Sequence, residues 1–139
     1  MDISPIPFAF AVDPASRIAY ARMWGEVTGA DMLAVVVAVH ASPEWEQGFD
    51  AVWDCSAVTA HIVTPEDVPP LVREEASSGD GRDALIESPG IGESALSEML
   101  AAFCRRQGKQ MSVHTSLAGG LAALGREALP EPLAAVRVP

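Results

Sequence analysis

The chain has 139 residues, a length that suits one domain, and 49% of them are hydrophobic, which excludes a disordered chain. Its formal charge is -10. With no basic run longer than Arg105-Arg106, that charge speaks against nucleic acid, whose phosphates need cationic side chains, and against anionic lipid headgroups.

The acidity is compatible with a basic protein partner. Cys55 and Cys104 sit in apolar segments at a spacing that matches no metal or redox motif, so two buried, reduced thiols are expected. Reduced thiols suit the cytoplasm. The first thirteen residues lack the basic and apolar regions of a signal peptide. No apolar run approaches the ~20 residues that span a bilayer.

Residues 8–12 are a short apolar run, and residues 13–16 carry the turn chemistry of Asp13 and Pro14. Residues 17–25 alternate in part, so the two runs read as a β-hairpin. Thr28 and Asp31 have capping-box spacing, and they predict that residues 32–40 are helical although valine favours strands. Ser42-Pro43 ends that helix. Trp45 lies in the polar connection that follows, where an exposed indole would mark a contact surface.

Residues 49–55 are a mostly apolar run of the kind found in a parallel strand covered on both faces. A functional-looking loop is expected after them, up to Thr64. Thr64, Pro65, Glu66 and Asp67 then form a helix start, and Pro69-Pro70 predicts a separate first turn. Residues 82–87 are a candidate strand. Leu96, Met99, Leu100 and Phe103 fall at helical spacing, with Arg105 and Arg106 at the favourable end and Gly108 able to cap. Residues 110–114 read as a last strand, and residues 116–124 as a short helix ending at Gly125. Residues 1–125 form one domain in this reading, and 126–139, with three prolines, a loosely packed tail. The order β-β-α-β-α-β-α-β-α implies an α/β fold, with parallel strands after the hairpin.

Three stretches carry a family resemblance: Gly25-Glu26-Val27-Thr28 before the first helix, Gly48-Phe49-Asp50-Ala51-Val52-Trp53-Asp54 as the central strand, and Ser56-Ala57-Val58-Thr59 after it. Over about residues 8–124 the chain resembles the SpoIIAA-like group of the STAS superfamily, the anti-sigma-factor antagonist fold. The resemblance implies a single α/β domain with a mixed sheet and about four helices packed mainly on one face. It also implies a non-enzymatic regulatory or protein-interaction module, in some members one that holds a small ligand. Anti-sigma-factor antagonists are phosphorylated on the serine of an Asp-Ser pair at the start of the helix after the central strand. Here that pair is absent, and Ile62-Val63-Thr64 stands in its place. Thr64 is the candidate phosphoacceptor, and a plain helix cap is its competing reading.

Ser56, Thr59, His61 and Thr64 are therefore the candidate partner-binding residues. The alternative is a small enzyme or cofactor protein with its site around Asp54 to Thr64. Against it, Asp54 and Cys55 alternate along a strand and face opposite ways. His40, His61 and His114 lack paired metal spacing, so no metal site and no cofactor are expected. The loop of residues 88–94 opens a helix but lacks the ending of a phosphate-binding loop, and Glu93 would repel phosphate. A protein partner is expected, either a different chain or a second copy in a homodimer.

Overall fold

The computed structural model describes residues 7–89 and 94–136. Strands β1 (Phe8–Asp13) and β2 (Ile18–Thr28) form the hairpin, paired antiparallel. Asp13 Oδ1 accepts the N–H of Ala15 at 3.3 Å inside the turn. Helix α1 (Gly29–His40) begins at the capping box read from the sequence. Asp31 N–H donates to Thr28 Oγ1 at 3.1 Å, and Thr28 N–H donates to Asp31 Oδ2 at 3.0 Å. The helix buries Met32, Val35, Val36 and Val39, one helical stripe. Burial of that stripe, with the cap, outweighs the strand preference of valine.

Strand β3 (Asp50–Ile62) follows, then a 3-10 turn (Pro65–Asp67) and helix α2 (Val68–Ala76). The separate first turn is where the paired prolines put it. The remaining elements are β4 (Arg82–Ile86), α3 (Ser94–Arg106), β5 (Gln110–His114), α4 (Leu117–Ala123) and α5 (Glu131–Ala134). Gly108, at φ 87°, ends the turn after α3 in the left-handed region that glycine tolerates.

The sheet order is β1-β2-β3-β4-β5, antiparallel at the first pair and parallel at the other three. Successive parallel strands progress in one direction, so crossovers of one hand carry α1, α2 and α3 to the same face. Those helices close a core over Ala19, Ala21, Trp53 and Leu85. The opposite face is covered as well: Leu121, Leu124 and Leu133 pack on Ile18, Tyr20, Val52, Ala84 and Ile86. Gly120 makes that approach close, since a Cβ there would fall 2.4 Å from Ile86 Cδ1. The fold is α/β with a five-stranded mixed sheet. Three helices share one face, and α4 and α5 lie on the other. No helix among the described residues is long and apolar enough to cross a membrane.

The loosely packed tail is corrected. Arg126 Nη2 pairs with Asp50 Oδ2 at 3.1 Å, and Leu133 on α5 is 0% exposed. The prolines that suggested a loose tail instead frame a short helix, with Pro130 before it and Pro132 in its first turn. Trp45 is not a freely exposed indole but half-buried. Its ring packs against His40 and Phe49 at centroid distances of 5.1 and 5.5 Å.

If the tail belongs to the core, Leu133→Ala should cost about 2–4 kcal/mol, the usual range for emptying a buried leucine site. Urea unfolding measures this, and an unchanged midpoint would show that the tail contributes nothing.

Candidate functional site

The candidate site lies where β2 and β3 outrun the rest of the sheet. β4 pairs with β3 only from Ala51 to Asp54, whereas the β2–β3 ladder continues to Thr28 and Ile62. The loop expected over 56–64 is therefore corrected: as far as Ile62 it is strand. Its residues lack clean alternation because the register is interrupted twice. From Arg22 to Trp24 on β2, β3 advances from Asp54 to Ala57, and from Gly25 to Glu26 it advances from Val58 to Ala60. Each interruption gives β3 one extra residue, the arrangement of a β-bulge.

Side chains satisfy the backbone at the first bulge. Asp54 Oδ1 accepts the N–H of Ser56 at 2.9 Å, and the hydroxyl of Ser88 donates to the carbonyl of Cys55. The Tyr20 hydroxyl donates to Asp54 Oδ2. Burial, and then that bond, raise the Tyr20 pKa well above its usual value. Asp54 and Ser88 thus complete the hydrogen bonding where the β4 ladder stops.

Of the sequence-predicted residues, Ser56, Thr59 and Thr64 are exposed, and His61 is half-buried. The structure does not gather them into one pocket. Thr64 starts the 3-10 turn, with both its N–H and its hydroxyl donating to Asp67 Oδ2, at 2.8 and 3.1 Å. Asp67 in turn lies against the start of α1, where a Cβ on Gly29 would fall 2.2 Å from Asp67 Cγ. The tip of the β2–β3 ribbon and the start of α2 are thereby tied together.

Asp54 and Cys55 do face opposite ways. Asp54 binds Tyr20, while Cys55 belongs to the core under α1–α3. Cys55 and His61 line one cavity of about 10 Å³, with Met32, Leu85, Ser97 and Leu100. That volume holds at most one water. Burial, helped by the Asp54 charge, pushes the Cys55 thiol up to about 12, and burial with nearby Glu75 and Asp83 does the same to Cys104. Among the described residues, no group of three or more His, Cys, Asp or Glu side chains is placed to hold a metal ion. His40 Nδ1 instead meets Glu74 Oε1 at 3.2 Å, and His114 Nε2 meets Ser112 Oγ at 2.7 Å. Of the 88–94 loop, residues 90–93 lie outside the described residues.

The sequence reading missed a buried polar cluster on the first face. Lys109 Nζ pairs with Asp83 Oδ1 at 3.2 Å, and Trp53 Nε1 donates to Asp83 Oδ2 at 2.9 Å. Glu75 is 2% exposed and lines a cavity of about 20 Å³ with Met23, Met32, Trp53 and Leu100. Burial, then the nearby Asp83 charge, raise its pKa well above the ordinary carboxyl range, against a smaller opposing effect of Lys109. A single lysine after a glycine gives no sequence signal of this.

Two outcomes follow from these environments. Native Cys55 and Cys104 should react with a thiol reagent only as fast as the chain opens. Labelling faster than global amide exchange would contradict their burial. For Glu75 the folded pKa exceeds the unfolded one, so over the interval between them the native state keeps a proton that the unfolded state releases. Stability therefore falls as pH rises from the unfolded carboxyl value, by up to about 1.4 kcal/mol per pH unit. Glu75→Gln, which mimics the protonated form, should match wild type near pH 4 and exceed it increasingly toward pH 7 in urea titrations. A pH-independent difference would place the proton elsewhere.

No protein-family model matches this chain, and no curated protein or solved structure matches it either.

Proposed function

We propose that the chain is a non-enzymatic, regulatory protein-interaction module similar to STAS-domain proteins, working in the cytoplasm, and that it meets its partner through the end of the β2–β3 ribbon. The observation that carries this reading is Ile62, 52% exposed at the end of β3, with Ser56, Thr59 and Thr64 also exposed along the same segment. An exposed branched apolar side chain flanked by hydroxyls is a fitting centre for a small contact surface. The half-buried ring of His61 supports the strand from beneath.

Thr64 would act as the switch. A phosphate on its hydroxyl would bring about two negative charges beside the Asp67 carboxylate that the hydroxyl now binds. Repulsion would drive Asp67 from the start of α1 and loosen the turn that begins α2. The two other readings have less support. For a small apolar ligand the enclosed cavities hold only about 20 and 10 Å³, and the larger spaces, of about 430 and 550 Å³, are open grooves at the β5 edge and between α2 and α3 that would leave such a ligand facing water. A cysteine enzyme would need a thiolate, which Cys55, raised to about 12, does not supply at neutral pH.

Affinity recovery from the native host, with intact-mass analysis of the recovered chain, tests the reading. Ile62→Glu and Thr59→Arg should each lose the protein that wild type captures while keeping the wild-type thermal midpoint, because both side chains face solvent. Equal capture by both variants would remove this surface. A phosphate mapped to Thr64 would support the switch, and wild-type capture by Thr64→Asp and Thr64→Ala alike would remove it.

A further inference from the structure

Strand β5 is an edge of the sheet, and β4 is its one strand neighbour among the described residues. The N–H of Glu87 donates to His114 O at 2.9 Å, so Gln110, Ser112 and His114 turn their backbone groups toward β4. Met111 and Val113 therefore turn theirs outward. Arg105 confirms the direction, because its Nη1 donates to the outward carbonyl of Met111 at 2.8 Å.

An open groove of about 430 Å³ follows this edge, lined by Arg82, Arg105, Lys109, Gln110, Ser112 and Leu124 among others. Asp83, the one carboxylate among the described residues lining it, is paired with buried Lys109. The guanidinium groups of the exposed Arg82 and Arg105 are left without an opposing charge among the described residues that line the groove, on a chain of net charge -10. Arg105 approaches from the end of α3. Arg82 is held on the α4 side by the carbonyls of Ala123 and Leu124, at 3.4 and 2.8 Å.

We infer that the β5 edge takes up an extended acidic segment of a partner protein as a sixth strand. Backbone groups of Met111 and Val113 would supply the ladder, and the alternate, acidic side chains on the α3 face of the added strand would meet Arg105, with Arg82 adding positive charge from the α4 side. Arg105 would release the Met111 carbonyl and turn to the incoming carboxylate, a stronger charge-assisted bond. The charges decide against the obvious rival occupant. Pairing β5 with β5 of a second copy would bring the same guanidinium groups together. This surface is separate from the ribbon, and neither depends on the other.

The probe is an acetylated, amidated peptide of alternating glutamate and valine, titrated onto the intact chain. Amide exchange at Met111 and Val113 should slow by about tenfold or more at saturation, as expected of amides drawn into a ladder. Binding should weaken by about tenfold in Arg105→Gln, which keeps a donor for the Met111 carbonyl but removes the charge. A peptide of the same sequence with every backbone nitrogen methylated should not bind, nor should one with lysine in place of glutamate. Three outcomes would overturn the inference. They are equal binding of the methylated peptide, saturable binding that leaves both amides unprotected, and protection that appears with rising protein concentration in the absence of peptide. The last would assign the edge to a second copy.

Discussion

The ion pair between Asp83 and Lys109 is the contact that the first face of the sheet is assembled around, with side chains 1% and 0% exposed. Two charges removed from water hold each other only when further hydrogen bonds complete them. Here the Trp53 indole donates to the carboxylate at 2.9 Å, and the ammonium reaches Gly79 O at 3.4 Å. The pair thereby joins β3, the loop before β4, β4 itself and the residue that leads into β5. Glu75 brings α2 to the same point. Were it ionised, two carboxylates would face one ammonium in an apolar interior. Burial and the nearby Asp83 charge both raise its pKa well above the ordinary carboxyl range, and so favour its protonated form beside that pair.

That arrangement fixes the N-terminal half of the parallel strands and leaves the other half to a different solution. β4 stops pairing at Ile86, while β2 and β3 continue as a two-stranded ribbon. An isolated ribbon is marginal in water. This one is tied at both ends of its extension, by Asp54 and Ser88 at the first bulge and by Asp67 against Gly29 at the tip. The carboxylate and hydroxyl nearest Cys55 are occupied, Asp54 by the Ser56 N–H and the Tyr20 hydroxyl, and Ser88 by the Cys55 carbonyl.

Much of the element order was legible in the sequence because strong local signals agreed with the tertiary packing. The Thr28–Asp31 box overrode the strand preference of four valines, and the Pro65 start and Gly108 stop fell where they were read. The extension of β3 was not legible. Its two bulges destroy the alternation that identifies a strand, and Ser56, Thr59 and His61 have the polarity of a loop. Helix α5 was hidden by prolines whose role as a helix start depends on Leu133 finding a buried site. The cluster of Glu75, Asp83 and Lys109 was hidden for another reason: its members are far apart in sequence, and each alone has the appearance of a surface charge. Of the candidate site, the sequence showed the segment but not the direction of its side chains. His61 turns inward, while Ser56, Thr59 and Thr64 face solvent.

The topology bears on where a ligand crevice could form. In open α/β sheets a ligand crevice forms at strand C-terminal ends where the strand order reverses and neighbouring connections leave to opposite faces. Here the order runs from β1 to β5 without reversal, and α1, α2 and α3 all cross on one face. No such crevice can open between adjacent parallel strands. The second face, which a crevice could otherwise use, is closed by α4 and α5. The open groove of about 430 Å³ lies instead at the margin of the sheet, along β5. An open edge strand also invites self-pairing. The guanidinium of Arg105 on the Met111 carbonyl blunts that hazard, and the charge of -10 carried by every copy opposes association in general. The edge is thereby guarded by the group that an acidic strand would be able to displace.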